Sequence, residues 1–362
     1  MEPPVHFPDG GAGGGDVGRS PSRWGWLVLL VGIVAVLYGC TIGFGPINLD
    51  APVAIGRNPI VQGSPGPAEW AAAFTYVGPL NLWHPVTWWS HQLDSLCFGF
   101  PSWGARHGVN LLLHLGAAAL VFVLLVDLVG RTRPGICASF FASLLWAVHP
   151  QRVETVAWLS CRKELLATFW TLVAVLAWLR FRREGGEQER GSGPARAWVG
   201  RWWLASTACA TLAMASHPVA VVLPALLLAL DRYGPHPIGG REGWLGWLPR
   251  REHAVVLGAA AATTLVTLWL HQRGGLSGLE AAHGPIERLS RMLLGFWYYG
   301  SRLVWPWPCR LFEIPPAGLQ PRQWMALGGV AVTAVAVMVW KRAGRGIAGV
   351  RAHHRDGCLS PG

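Results

Sequence analysis

The chain carries little charge, and its charge is unbalanced. Charged residues make up 14% of 362, and 19 Asp and Glu stand against 30 Lys and Arg. Against a hydrophobic share of 52%, that takes the chain out of the soluble globular class and into polytopic membrane proteins. It has no C-x-x-C pair: its seven cysteines, Cys40, Cys97, Cys137, Cys161, Cys209, Cys309 and Cys358, are scattered, which argues against a zinc site. No nucleic-acid motif accompanies the net charge of +11, whose arginines sit between apolar runs and read as cytoplasmic loop bias. No A-x-A cleavage site follows the first apolar run, so an uncleaved helix fits better than a signal peptide. No internal repeat is evident. No metal or other cofactor is expected.

What is abundant is tryptophan. Its 22 copies suit anchoring at a membrane interface and stacking against a sugar-like ligand. Taken in order, residues 1–22 are rich in Gly, Pro and Ser and read as a disordered cytoplasmic tail. Arg19 and Arg23 precede the first span, Trp24–Gly39, with the N-terminus inside. Residues 41–105 form a first outer loop in which Trp70–Phe74 and Val86–Leu96 read as short interfacial helices. A second span at about 107–129 ends at Arg131 and Arg133, and a third at about 136–149 ends at His149-Pro150. Residues 150–163 are polar and outside; a fourth span, 164–181, ends in Arg180, Arg182 and Arg183.

Residues 202–230 read as a hairpin turning at Ser216-His217-Pro218, because a hairpin returns Arg232, Arg241, Arg250 and Arg251 to the side of Arg180–Arg183. The seventh span is about 253–271 and the last about 322–340. With the basic tail 342–362 inside, the apolar stretch 290–305 cannot cross and must lie in the outer interface or re-enter. The reading is an all-α polytopic helix bundle over 23–341 between two cytoplasmic tails.

The polar residues cluster between Asp50 and Lys163. Asp50 is the first carboxylate after the first span, fit to be a general base or merely a helix cap. Arg162 and Lys163 offer a fork and a point charge to a phosphate, or snorkel to lipid headgroups. His84, His91, His149 and Glu154 match no compact metal spacing and read as hydrogen-bonding groups at helix ends. Asn110 and His114 share a helix face as packing glue or pocket lining. Asp94 reads as a partner for Arg106 or a helix cap, and Trp83, Trp88 and Trp158 as sugar stackers or interfacial anchors. Cys97, Cys161 and Cys309 share the outer side, with a disulfide between two of them left open.

Three strings carry a family resemblance: Asn81-Leu-Trp-His-Pro-Val-Thr-Trp-Trp-Ser-His-Gln-Leu-Asp94, Asn110-Leu-Leu-Leu-His114, and His149-Pro-Gln-Arg-Val-Glu-Thr-Val-Ala-Trp158. Arg162-Lys-Glu164 and Leu303-Val-Trp-Pro306 follow in order. The chain resembles bacterial relatives of the transmembrane and tetratricopeptide-repeat O-mannosyltransferases, which have the GT-C membrane glycosyltransferase fold. The resemblance implies a polyprenyl-phosphate-linked mannose or other hexose as donor. It also implies an acceptor, a protein Ser/Thr or a glycan, on the non-cytoplasmic face of a bacterial inner membrane. Asp50 then takes the catalytic position, Arg162 and Lys163 the donor phosphate, and His84, Trp88, His91, Asp94, His149, Glu154 and Trp158 line the pocket. Three departures matter. Ala51 stands where the family carries a second acid, Ser216-His217-Pro218 where it often has a lysine, and the repeats are absent. The rivals are a non-catalytic carrier-binding or assembly protein on the same fold, and a lipid or sugar transporter.

Overall fold

The computed structural model describes residues 22–47, 50–62, 65–76, 83–189, 196–233, 250–273 and 284–307, with scattered positions between 321 and 333. The tail expected at 1–22, except Ser22, and the one at 342–362 lie outside the described residues, as does most of the span expected at 322–340. Every regular element described is helical, and the chain is an all-α membrane helix bundle. It divides into two compact units, one of residues up to His149 with Thr155–Val266, the other of Pro150–Glu154 with the chain from Thr267.

In the first unit, α1 (Arg23–Tyr38) leads through a 3₁₀ turn to the loop region. A single π-turn, Pro52–Gly56, and α2 (Pro67–Ala72) precede α3 (Pro85–Phe98). Then come α4 (Trp103–Val129), α5 (Arg133–Ala147) and α6 (Gln151–Ala157), the last shared between the units. Next are α7 (Arg162–Glu189), α8 (Arg196–Ser216), α9 (Leu223–Tyr233) and the first part of α10 (Ala254–Arg273). α11 (Pro285–Val304) belongs to the second unit. Four stretches are long and apolar enough to cross a membrane: Arg23–Gly43, Trp103–Val129, Leu159–Glu187 and Arg251–Leu270. α5, expected as a span, has 15 residues, about 22 Å of helix, and falls short of the hydrocarbon thickness.

Local chemistry sets the helix ends. Pro85 opens α3, where a missing N–H costs nothing, and Gly99 at φ 75° closes it. Thr132 caps α5 by accepting the N–H of Gly135 at 3.2 Å. The buried face of α4 recurs at helical spacing and changes character along its length. Arg106, His107, Asn110 and His114 come first; Ala117, Ala118, Phe122 and Val126 follow. The polar half faces the loop region, and the apolar half builds a core with Leu30, Val34, Ile136 and Phe140. Small residues let the helices close up, since lipid offers them no hydrophobic drive to associate. A Cβ on Gly116 would lie 2.9 Å from the Phe169 ring, so α4 and α7 meet there. Ala174, Ala210 and Ala213 do the same for α7 and α8.

The stretch 202–230 does turn where the sequence indicated. α8 ends at Ser216, five residues of 3₁₀ helix follow from Pro218, and α9 runs back along α7. His217 sits 3.8 Å from Glu164, near the start of α7, whereas Asp231 bonds Trp178 and Arg182 some four turns further along. Hence α8 and α9 are antiparallel.

Candidate functional site

The start of α7 is where the chemistry-bearing residues converge. Asp94 on α3 is buried, and its Oδ2 accepts from Arg162 Nη1, with Arg106 Nη1 at 3.6 Å and His91 Nδ1 at 3.9 Å. Arg106 donates to the carbonyls of Pro101 (2.8 Å) and His91 (3.1 Å) and to Ser95 Oγ (2.6 Å). Arg162 donates from Nε to Asn110 Oδ1 (2.8 Å), from Nη1 also to Ser90 Oγ (3.2 Å), and from Nη2 to the Arg106 carbonyl (2.7 Å). Both guanidiniums are fully buried. Removing charges from water costs several kcal/mol per ion, and this density of donors to fixed acceptors offsets it. Three helices are thereby locked together: α3 through Asp94, α4 through Arg106 and Asn110, α7 through Arg162.

The histidines here are neutral. His91 is pushed down to about 3 by burial and then by the Arg162 charge. That fits its Nδ1 lying 3.3 Å from Arg106 Nη1, where an unprotonated nitrogen accepts. Burial pushes the Asp94 carboxyl up, but the Arg162 guanidinium bonded to it outweighs that and holds it below the usual range. With two arginines against one carboxylate, the cluster keeps a net positive charge.

A second group lies at the same end. Lys163 Nζ donates to the Ser160 carbonyl at 3.0 Å and sits 3.4 Å from Glu164, which faces His217. Thr87 on α3 donates to the Ser216 carbonyl at 3.0 Å, so the starts of α3 and α7 and the end of α8 meet. His84, just before α3, is buried against Trp88, ring centroids 4.5 Å apart, and among the described residues its Nδ1 meets no hydrogen-bond partner. Burial and then Lys163 push His84 down to about 3, and likewise His217 to about 4.

Asp50 completes the set. Its carbonyl accepts from Val53 (3.0 Å) and Ala54 (2.7 Å), opening the π-turn, and its Oδ1 accepts the indole N–H of Trp158 at 2.6 Å. Trp158 stands one helical turn before Arg162. Two residues distant in sequence are therefore joined at the cationic end of α7.

Placement of the sequence candidates is uneven. Asp50 and Trp158 pair directly; His91, Asp94 and Arg162 share one cluster; His84 and Lys163 are neighbours. Arg162 does not offer an open fork, because its donors are taken up by protein acceptors. His149 is half-buried in the turn after α5, and Glu154 is exposed on α6; the Asp94 cluster is built without either. Trp88 packs into the loop-region core with Ile55, Val61 and Leu159. His114 binds the Ala147 carbonyl at 3.0 Å, which Tyr38 also reaches at 3.2 Å, so it joins α1, α4 and α5. Cys97 carries a free thiol among the described residues, and Cys309 lies outside them. Ser95 was missed, and Arg106, read as a partner for Asp94, was not placed among the site residues; an arginine, a histidine and an asparagine at helical spacing in an apolar span were the signal.

Site and fold together define a multi-pass membrane protein with a buried cationic centre at one helix end. Distant homologues are named protein O-mannosyl-transferases. Tmtc2 of Drosophila melanogaster is 28% identical over 259 residues, 70% of this chain and 26% of that protein. F38B6.6 of Caenorhabditis elegans is 29% identical over 167 residues, 43% of this chain and 23% of its own length. Human TMTC4 is 27% identical over 190 residues, 48% of this chain and 25% of that protein. The chain thus spans about a quarter of the length of these curated relatives. No family model matches the chain, and no solved structure does.

Proposed function

We propose that the chain is a membrane glycosyltransferase of the O-mannosyltransferase type with a GT-C-like fold. It takes mannose or another hexose from a polyprenyl-phosphate carrier and passes it to a hydroxyl, of protein Ser/Thr or a glycan, on the non-cytoplasmic face. The observation that carries the reading is the Trp158–Asp50 hydrogen bond, which ties the first carboxylate of the loop region to the turn before Arg162 and Lys163. Transfer needs a base beside the attacking hydroxyl and positive charge beside the departing phosphate. Asp50 is the base. Its Oδ1 is held by the indole, and Oδ2 is the oxygen that receives the proton. The hydroxyl oxygen bonds to the sugar's anomeric carbon as the carbon–phosphate-oxygen bond breaks, and the pair leaves on the phosphate. Lys163 takes the phosphate directly. Arg162 and Arg106 act from behind it, as a buried net charge rather than as a fork. The buried His84 and Trp88 back this site from the start of α3. A bacterial inner membrane with a cytoplasmic N-terminus fits the basic loops.

The test is sugar transfer and donor binding in proteoliposomes. Asp50→Asn keeps the Trp158 bond but cannot take a proton, so transfer falls on the order of 10²–10⁴-fold with donor binding unchanged. Lys163→Ala weakens donor binding about tenfold or more. Full activity in Asp50→Asn ends the base assignment. Ala51 beside Asp50 favours one other reading, a carrier-binding protein without turnover; donor binding with no transfer in the parent chain is its signature.

A further inference from the structure

α11 has its polarity arranged for lipid rather than water. At 100° per residue, Leu289, Met292, Phe296 and Tyr299 fall on one side of the helix, and Glu287, Arg291, Tyr298 and Arg302 on the opposite side. In a water-soluble unit the apolar side would be covered. Here Met292 and Phe296 are 73% and 75% exposed, while the Arg291 and Glu287 side chains are 26% and 21% exposed and paired at 2.9 Å. The apolar spans show the same outward display, at Val28, Leu112 and Leu265. Lipid is the solvent that rewards it.

α11 is nevertheless not one of the four stretches apolar enough to cross. A crossing helix gathers its charge at the ends; α11 carries it on one face from Glu287 to Arg302. Beyond its end, Trp305 and Trp307 are also exposed, the residue type that settles at headgroup level. Its arginines, Arg288, Arg291 and Arg302, outnumber Glu287, which complements anionic headgroups.

We propose that α11 lies along the membrane surface with its Leu289–Met292–Phe296–Tyr299 stripe sunk to the boundary between headgroups and acyl chains, in lipid that includes anionic headgroups. The polar side faces away from the acyl chains. This is independent of the transferase reading.

The test uses the full chain in phosphatidylcholine–phosphatidylglycerol nanodiscs. An encoded fluorescent amino acid is placed singly at Met292, Phe296, Tyr299 or Tyr298. The lipids are brominated either near the headgroup or deep in the acyl chain. The three stripe positions should be quenched to a common shallow depth, several-fold more than Tyr298. The same label at Leu112, within α4, reports deep quenching and shows that the labelled chains are inserted. Depth that increases from Met292 to Tyr299 overturns the proposal in favour of a crossing helix. Absence of quenching at all three stripe positions, with Leu112 normal, overturns it in favour of a face covered by a second copy of the chain.

Discussion

Asp50 and Asp231 both accept an indole N–H, from Trp158 at 2.6 Å and Trp178 at 2.7 Å, and there the likeness ends. Asp231 also accepts Arg182 Nε at 2.9 Å and Nη2 at 2.7 Å, and His253 Nε2 lies 3.2 Å away. The His253 Nδ1 accepts from the Arg250 N–H at 3.2 Å, which leaves Nε2 to carry the proton toward Asp231. The Arg182 guanidinium covers the Trp178 ring at 4.4 Å, and His253 packs on it at 5.0 Å. Asp231 is a saturated carboxylate closing α7, α9 and α10 together. Asp50 is half-buried, and Trp158 is its one side-chain donor among the described residues. A saturated carboxylate has no oxygen left for a substrate; an undersaturated one can receive a proton. Saturation, not the presence of an acid, separates an aspartate tied up in structure from one with an oxygen still able to receive a proton.

Asp94 belongs with Asp231, and the two mark the ends of α7. Arg162 binds the first and Arg182 the second, a separation of about 20 residues or roughly 30 Å, the thickness of a bilayer's hydrocarbon core. The largest effects should come from breaking these locks. Arg162→Ala leaves Asp94 facing only Arg106, and losing one partner of a buried pair costs about 3–5 kcal/mol. Arg182 lies nearer solvent, at 11% side-chain exposure, so Asp231→Asn should cost less, about 2–3 kcal/mol. Reversible unfolding in mixed detergent micelles measures both. If Arg162→Ala unfolds like the parent chain yet loses donor binding, the guanidinium is a phosphate ligand after all and not a lock.

Acid should separate the ends further. His84 and His91 are each lowered from 6.5 to about 3 in the folded chain, mainly by burial. The stability from holding them neutral is complete above pH 6.5 and is lost as pH falls toward 3. At pH 5 the loss is about 2 kcal/mol per histidine. With His217 also lowered, to about 4, the melting temperature should fall from pH 7 to pH 5, and His91→Gln should remove about a third of that slope. A slope unchanged in His91→Gln would mean that the ring is already protonated near neutrality.

Much of this organisation could be read before the structure. Apolar runs punctuated by arginine gave the helices, because lipid imposes length and charge rules that act locally along the chain. The break at Ser216-His217-Pro218 was legible from the arginines on either side of it, and the pairing of Asp94 with Arg106 was one of two readings open for that acid. The burial of Arg162 was not. Its acceptors, Ser90, Asp94, Arg106 and Asn110, come from two other helices, and no local rule reports which side chains fold over a helix start. The Asp231 lock was missed for the same reason, although a lone acid at the end of an apolar arm, with Trp178 and Arg182 one turn apart on α7, was its trace.

The smallest expected effect gives the finest test of the Asp50–Asp231 contrast. Trp→Phe removes an indole N–H while keeping most of the ring. At Trp178, Asp231 retains Arg182 and His253, so the loss is one hydrogen bond of about 1 kcal/mol, read in unfolding with transfer unchanged. At Trp158, Asp50 loses the donor that holds its Oδ1, and the carboxylate gains rotational freedom. Stability should move by less than about 1 kcal/mol, because a half-buried carboxylate recovers water. Transfer should fall about tenfold, the cost of a loosened base, with donor binding intact. The two variants therefore exchange readouts: one moves stability alone, the other turnover alone. Should Trp158→Phe behave as Trp178→Phe does, shifting unfolding and sparing transfer, Asp50 is a third structural carboxylate beside Asp94 and Asp231, and the base must be sought elsewhere at the start of α7.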